Sequence, residues 1–234
     1  MKICVYADVH GNIYALNSLM KNKDYKNSDM RVFLGDAVAM CPYPNECMEK
    51  IFNSGDIWLM GNHDGYMAFG LPNEECPFFK GDKKAHIDYM RNLAKPEFIE
   101  KLRTLPKNYE TVIFGKKLFF THYIWESENI IADNIYYADV NYLHLNELFK
   151  NINADYIFYG HEHYPSLYTG EKTFIDVGTL GMQYPGNYVM VEIDETNVKI
   201  EHKQITYDVK KLQDEIIKAD YPRAKYFSSW FNTL

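Results

Sequence analysis

Short apolar runs that each end in a glycine, aspartate, asparagine or histidine recur along the chain, and they constrain its fold more than any other feature. They cover residues 3–7, 31–34, 57–60, 117–120 and 156–159. Their length and their content of β-branched and aromatic residues predict buried β-strands. The polar residues that follow them are expected at the carboxyl ends of the strands, where ligands of α/β folds usually bind.

Helical segments are predicted between and after these strands, over residues 13–21, 44–53, 83–105 with a break at Pro96, and 141–152. This alternation predicts an α/β layered fold. Beyond Gly160 the pattern changes to shorter strands, predicted as antiparallel neighbours over residues 166–169, 173–177, 188–193 and 198–207. A final helix is predicted over residues 209–219, and the aromatic residues after it are expected to pack back on the fold.

Composition excludes several classes of protein. A length of 234 residues predicts one domain over residues 1–234, with a loop and helical cap-like segment at 65–106. Thirty-two acidic against 25 basic residues give a net charge of −7, which argues against broad nucleic-acid binding but allows a small phosphate ester or nucleotide substrate. No run approaches the roughly 18–20 apolar residues of a membrane helix, so no membrane association is expected.

The cysteines and the amino-terminal residues indicate the compartment. The four cysteines form no Cys-x-x-Cys pair and are interpreted as reduced structural thiols. Residues 3–7 are too short for a signal-peptide core, so a cytoplasmic protein is expected. The sequence leaves the oligomeric state open.

Five polar motifs at the predicted strand ends contain five of the eight histidines. They are Asp8-Val9-His10-Gly11-Asn12, Gly35-Asp36, Gly61-Asn62-His63-Asp64, Thr121-His122 and Gly160-His161-Glu162-His163. Asp8 and His10 project to the same side of an extended chain and can bind one ion together, while the two carboxylate oxygens of Asp36 can bridge two ions. Carboxylate and imidazole ligands without thiolates suit Mn, Fe, Co, Ni or Zn better than calcium or a structural zinc site.

Each motif is weak when taken alone, because a lone histidine such as His122 is more often a core or surface residue than a ligand. Their order, each after an apolar strand, is what predicts a metal pair. Two divalent ions with two aspartates and a bridging hydroxide keep about one positive charge, which attracts a phosphate oxygen. The histidines outside the motifs, His86, His144 and His202, are predicted to be surface or structural residues.

The ordered motifs, from Asp8 to His163, resemble the calcineurin-like metallophosphoesterase superfamily. Residues 35–46, Gly-Asp-Ala-Val-Ala-Met-Cys-Pro-Tyr-Pro-Asn-Glu, are similar to the small bacterial and archaeal phosphodiesterases of the YfcE type and to diadenosine-tetraphosphatase-like proteins. The resemblance implies a four-layer α/β/β/α sandwich, with two mixed β-sheets flanked by helices and the metals at one rim.

The resemblance also implies a role for each motif residue. The first metal would take Asp8, His10, Asp36 and His163, and the second Asp36, Asn62, His122 and His161. His63 would stand beside the substrate phosphate with Asp64 as its orienting partner, and Asn12 would lie near the metals and contact the phosphate. Two divalent transition-metal ions are expected, manganese ahead of iron, zinc, nickel and cobalt. Glu162, Tyr123 and Asp176 depart from the family pattern without removing a ligand, so they bear on substrate preference.

The expected reaction is hydrolysis of a phosphodiester or a dinucleoside polyphosphate by a metal-bridging hydroxide. The alternatives are a phosphomonoesterase or protein phosphatase, and a non-catalytic protein-binding scaffold of the same fold. Asp36 is followed by Ala-Val-Ala-Met rather than the Val-Asp-Arg-Gly of eukaryotic-type protein phosphatases, and scaffold relatives tend to lose the ligands kept here. Aromatic residues of segment 65–81, and Tyr123, are either a nucleobase-stacking wall or plain packing. Those of the segment are Tyr66, Phe69, Phe78 and Phe79.

Overall fold

Two five-stranded mixed β-sheets form the centre of the computed structural model, which describes residues 1–71, 80–125 and 140–231. In spatial order, the strands of the first sheet are β10 (Val198–Ile205), β9 (Gly186–Ile193), β1 (Lys2–Tyr6), β2 (Met30–Phe33) and β3 (Ile57–Trp58). Those of the second sheet are β4 (Asn108–Ile113), β5 (Lys116–Thr121), β6 (Tyr156–Tyr159), β8 (Thr173–Asp176) and β7 (Ser166–Thr169). In the first sheet β1, β2 and β3 run parallel, and in the second sheet β5, β6 and β8 run parallel, while the remaining neighbours pair antiparallel.

Helices cover both outer faces of the two sheets. The described helices are α1 (Ile13–Lys21), α2 (Lys23–Lys26), α3 (Pro44–Ser54), α4 (Asn62–Phe69), α5 (Asp82–Leu93), α6 (Pro96–Leu102), α7 (Tyr142–Leu148), α8 (Val209–Ala219) and α9 (Ala224–Ser229). Helix α7 packs on the second sheet and most of the others pack on the first. The predicted four-layer α/β/β/α sandwich is confirmed. None of these helices has the length and hydropathy needed to cross a membrane.

Strand β1 shows why the strands of this protein are continuous apolar runs in the sequence. Val5 lies between the two sheets in the same apolar cluster as Phe158 and Ile175 of the second sheet, whereas Cys4 and Tyr6 face the helices. Because both faces of the strand are covered, alternation of apolar and polar residues disappears. The core of the molecule therefore lies in three slabs, one between the sheets and one under each helical layer.

Most predicted elements are confirmed within one or two residues, and the helical segment with a break at Pro96 is α5 followed by α6. Strand β4 was not predicted, because it is an edge strand whose polar residues leave no apolar run. The prediction that a loop begins at residue 65 is wrong for residues 65–69, which belong to α4. Residues 72–79, with Cys76, Phe78 and Phe79, lie outside the described residues.

Candidate metal centre

The predicted ligands converge where the carboxyl ends of five parallel-running strands meet along one edge of the two sheets. Asp8 follows β1, Asp36 follows β2 and Asn62 follows β3. His122 and His161 follow β5 and β6 of the second sheet. The site therefore spans both sheets, and each contributes predicted ligands within four residues of a strand end.

Three donor atoms form a first cluster at this edge. Asp8 Oδ1 lies 3.2 Å from His163 Nε2 and 3.5 Å from His10 Nε2, and the two nitrogens are 3.1 Å apart. Donors that bind one ion at about 2.0–2.2 Å are separated by roughly 3.0–3.5 Å in octahedral or tetrahedral geometry. The separations thus fit a shared transition-metal ion.

A second cluster lies beside the first. Asn62 Oδ1 is 3.0 Å from both His122 Nε2 and His161 Nδ1. Asp36 Oδ2 stands between the clusters, 3.4 Å from His122 Nε2 and 3.8 Å from His10 Nε2. A ring nitrogen of His63 also falls within 4.8 Å of donor atoms of His10 and Asp36.

The two aspartates are oriented in the same way. Asp8 Oδ2 accepts the backbone N–H of His161 at 3.1 Å, and Asp36 Oδ1 accepts that of His63 at 2.7 Å. The second oxygen of each carboxylate is turned to the centre. Asp8 Oδ1 is buried and accepts no hydrogen bond from the described residues. A buried carboxylate oxygen without a partner is costly, and a cation would satisfy it.

The tautomer of His10 points to the same conclusion. His10 Nδ1 lies 3.1 Å from the carbonyl oxygen of Val38, which only accepts, so Nδ1 carries the proton. The neutral ring then directs the Nε2 lone pair at His163 Nε2, and two such nitrogens 3.1 Å apart need a proton or a cation between them. An imidazole whose other N–H donates to a carbonyl is the usual arrangement of a metal ligand.

The electrostatics of the centre favour a cation as well. Burial favours the neutral form of His122, yet the carboxylates of Asp36 and Asp8 raise its pKa to about 9. Burial lowers the pKa of His63 to about 3, so this ring is neutral near pH 7. The residues present therefore fit divalent metal ions, with an uncharged imidazole beside them.

Comparison with known proteins decides the family. A model of the calcineurin-like phosphoesterase family matches residues 1–165. The chain belongs to this family. An uncharacterized protein of Methanocaldococcus jannaschii is 32% identical to it over 249 aligned positions, which cover 94% of this chain and 93% of the relative. Membership supports hydrolysis of phosphoric esters as the class of activity and divalent metal ions as cofactors.

Solved structures agree at the level of fold. A hypothetical protein of Pyrococcus horikoshii superposes with a TM-score of 0.78 at 20% identity, covering 98% of this chain and 97% of that one. A putative diadenosine tetraphosphatase superposes with a TM-score of 0.52 at 14% identity, covering 88% and 94%. The expected resemblance to diadenosine-tetraphosphatase-like proteins is thus seen in the fold.

The backbone of the calcineurin-like centre is unusual. Five metal-site residues have positive φ angles of 48–74°, a region that residues other than glycine rarely adopt: Asp8, His10, Asp36, His161 and His163. Gly35, with φ +118°, and Gly61 let the loops after β2 and β3 touch, because a Cβ atom at Gly61 would collide with the Asp36 carboxylate. The strained backbone of these residues and the close approach of the two loops together position the predicted ligands.

Asp64 occupies a different position from the one expected. Its buried carboxylate accepts the backbone N–H groups of Asp36 at 2.8 Å, Ala37 at 2.9 Å and Gly61 at 3.1 Å. A contact with the ring of His63 is not among the hydrogen bonds of the described residues, and His63 Nδ1 is buried without a partner. Asp64 thus ties together the two loops that carry Asp36 and Asn62, and its predicted catalytic role stays a prediction.

Asn12 is likewise engaged in the fold. Its side-chain oxygen accepts the backbone N–H of Ala15 at 3.0 Å and so caps α1, while its amide donates to the carbonyl of Gly181 at 2.7 Å. The residue is fully buried. These contacts position α1 against the centre, and the expected contact of Asn12 with phosphate stays a prediction.

His86 and Tyr221 hold the loop after Asp36 and were not predicted to do so. His86 Nε2 accepts the backbone N–H of Met40 at 3.1 Å, and its Nδ1 donates to the carbonyl of Pro222 at 3.0 Å. The hydroxyl of Tyr221 donates to the carbonyl of Met40. No local sequence signal could have revealed a contact between residues 136 positions apart.

A cavity of about 680 Å³ opens over the metal centre. Asp36, His63 and His161 line its base, with Glu162 beside them. Tyr226 and Trp230, from the carboxyl-terminal segment, line its wall. The cavity has the size of a small-ligand site.

Two of the aromatic residues for which a stacking wall and plain packing were left open, Tyr66 and Tyr123, pack in the interior. Tyr66 is buried with its ring centroid 5.3 Å from that of His63, and Tyr123 is fully buried against Tyr159 and His161. Neither is among the described residues that line the cavity.

Proposed function

We propose that this protein is a metal-dependent phosphodiesterase that hydrolyses a small phosphodiester or a dinucleoside polyphosphate with two divalent ions. The observation that carries the proposal is Asp36 Oδ2, which stands 3.4 Å from a donor of one cluster and 3.8 Å from a donor of the other. A metal pair of this kind activates water and stabilises the attacking and leaving oxygens of an in-line displacement.

Each residue then has a defined task. Asp8, His10 and His163 would hold one ion, and Asn62, His122 and His161 the other, with Asp36 shared. Because the pKa of His63 is lowered to about 3 by burial, its ring is neutral and donates one N–H, to a phosphate oxygen or to the leaving oxygen. Asp64 acts through the loops of Asp36 and Asn62, as a positioning residue.

The metal and the compartment belong to the same proposal. Manganese, which suits carboxylate, amide and imidazole donors, is the proposed ion, with iron, zinc, nickel or cobalt as substitutes. Cys4, Cys41 and Cys47 are buried and free, which supports a reducing cytoplasmic location. The acidic net charge of −7 supports a small substrate rather than bulk nucleic acid.

The direct test is hydrolysis of bis-p-nitrophenyl phosphate by the manganese-loaded protein, with metal content measured on the same sample. Turnover with two ions per chain is expected. Asp88→Ala, at a half-exposed carboxylate on α5, is the matched control for Asp36→Ala. Protein that holds two ions yet cleaves no diester, monoester or dinucleotide would instead support the scaffold alternative, and preference for a monoester would support the phosphomonoesterase.

A further inference from the structure

Tyr226 and Trp230 stand on one face of the carboxyl-terminal segment, four residues apart. Their ring centroids are 5.4 Å apart and their planes meet at 72°. Both line the cavity that contains Asp36 and His63. The Tyr226 side chain is 48% exposed, whereas Phe227 beside it is buried in the core. Helix α9 thus packs one aromatic residue inward and presents another to the cavity.

The aromatic pair is fixed in place by its neighbours. The guanidinium carbon of Arg223 lies 4.3 Å from the ring centroid of Tyr226, a cation–π distance that orients the ring. Phe227 contacts Trp230 at a centroid distance of 5.9 Å and the ring of His86 at 4.7 Å. A side chain that is already ordered loses little entropy when a ligand binds to it.

The rest of the cavity suits a flat apolar group. Tyr164, which follows the ligand His163 and is 68% exposed, and the thioethers of Met40 and Met182 also line it. Its base carries the metal ligands. A ligand that places phosphate on the base and a planar ring against the wall would fill both parts.

We propose that Tyr226 and Trp230 form the base-stacking wall of the site, and that the substrate is a nucleotide phosphoester whose nucleobase stacks on one of the two rings and contacts the other with its edge. This inference rests on the proposed function, since the metal centre would hold the phosphate. Aromatic side chains stack on every base, and each stacked base contributes roughly 5- to 150-fold in affinity. The site has one stacking wall and the chain has a net negative charge. Both features favour a mononucleotide ester or a dinucleotide over a nucleic-acid polymer.

The test compares three ligands on the manganese-loaded protein by calorimetry: adenosine monophosphate, adenosine and inorganic phosphate. The double variant Tyr226→Ala/Trp230→Ala should bind adenosine monophosphate and adenosine roughly 5- to 150-fold more weakly and phosphate as before. Trp230→Phe should retain the affinity for adenosine monophosphate but lose the quenching of tryptophan emission by this ligand. Phe114→Ala, an exposed aromatic residue of the β4–β5 turn, is the control that should change nothing.

The outcomes separate the two proposals. Phosphate that binds as tightly as adenosine monophosphate to the wild-type protein, or a double variant with unchanged affinity for both adenine ligands, overturns the stacking wall. Protein that binds no phosphate but loses adenosine binding in the double variant keeps the wall and refutes the proposed function. Equal thermal unfolding of all variants shows that none of these losses comes from misfolding.

Discussion

The metal edge, meaning the ligands that follow β1, β2, β3, β5 and β6, and the aromatic wall of Tyr226 and Trp230 share one cavity but are built differently. The predicted ligands of the metal edge are mostly buried and lie within a few residues of a strand end, and the carboxylates of Asp8 and Asp36 are held by backbone N–H groups. The wall consists of an exposed Tyr226 ring and a partly buried Trp230 ring, on a segment that reaches the cavity through packing with residues distant in sequence.

The two parts are subject to different physical constraints. Metal ligands must keep their donor atoms within a few tenths of an ångström, so they are placed on rigid elements with short connections. A stacking wall needs only a flat apolar surface at the right distance, which many side chains and many backbone routes can supply. On the proposed assignment, the chemistry takes place at the metal edge and the terminal segment selects among substrates.

Asp36→Ala tests the metal edge and has the largest expected effect. Removal of the shared carboxylate should abolish the binding of both ions and lower turnover by more than the roughly 10–100-fold typical of residues that only support a ligand. Elemental analysis and diester hydrolysis measure the two effects. Retained turnover with one bound ion would show that the two clusters act separately.

His63→Ala tests the chemistry beside the metals. Loss of a proton donor should reduce turnover on the order of 10²–10⁴-fold for substrates with a poor leaving group. A similar loss with nitrophenolate, which needs little protonation, would assign His63 to phosphate positioning. The lowered pKa of this residue, near 3, favours that second result. Rates measured across leaving groups of different basicity distinguish them.

Asp64→Asn tests whether Asp64 supports the predicted ligands rather than taking part in catalysis. The amide keeps the shape of the carboxylate but loses acceptors for the N–H groups of Asp36, Ala37 and Gly61. We expect metal affinity to fall roughly 10–100-fold with the fold intact. Titration with manganese measures the affinity, and Asp88→Asn on α5 is the matched control. An unchanged metal affinity combined with lost turnover would instead return Asp64 to a direct catalytic role.

His86→Gln tests the link between the two regions and has the smallest expected effect on activity. Burial lowers the pKa of His86 to about 4, so the unfolded chain binds more protons than the folded protein between pH 6.5 and 4. Stability should therefore fall by about 3 kcal/mol as the pH falls through this window. Glutamine cannot titrate, so the difference in unfolding free energy between the two proteins should change by that amount from pH 7 to pH 4. If urea denaturation gives the same difference in unfolding free energy between the two proteins at pH 7 and pH 4, titration of His86 does not contribute to the stability.

The metal edge could be predicted from the sequence, whereas the aromatic wall could not. Asp8, Asp36 and Asn62 could be recognised because each stands directly after an apolar strand, and the strand order brings them together. Tyr226 could not, because the packing of α9 depends on contacts such as His86 with Phe227, which no local pattern announces. The contacts of Asp64 were missed for a related reason, since its partners are backbone groups of another loop.

The positive φ angles of the predicted metal ligands affect the stability of the fold as well as the site. Each histidine or aspartate held in that region costs on the order of 1 kcal/mol, which glycine at the same position would not incur. In the metal-free state, substitution such as His163→Gly should therefore yield a protein that withstands heating better, although it should no longer hold the ion that would stabilise the loaded protein. Selection for thermal tolerance without metal would therefore favour loss of these side chains, so a library screened for stability needs metal in the medium and a concurrent requirement for bound metal.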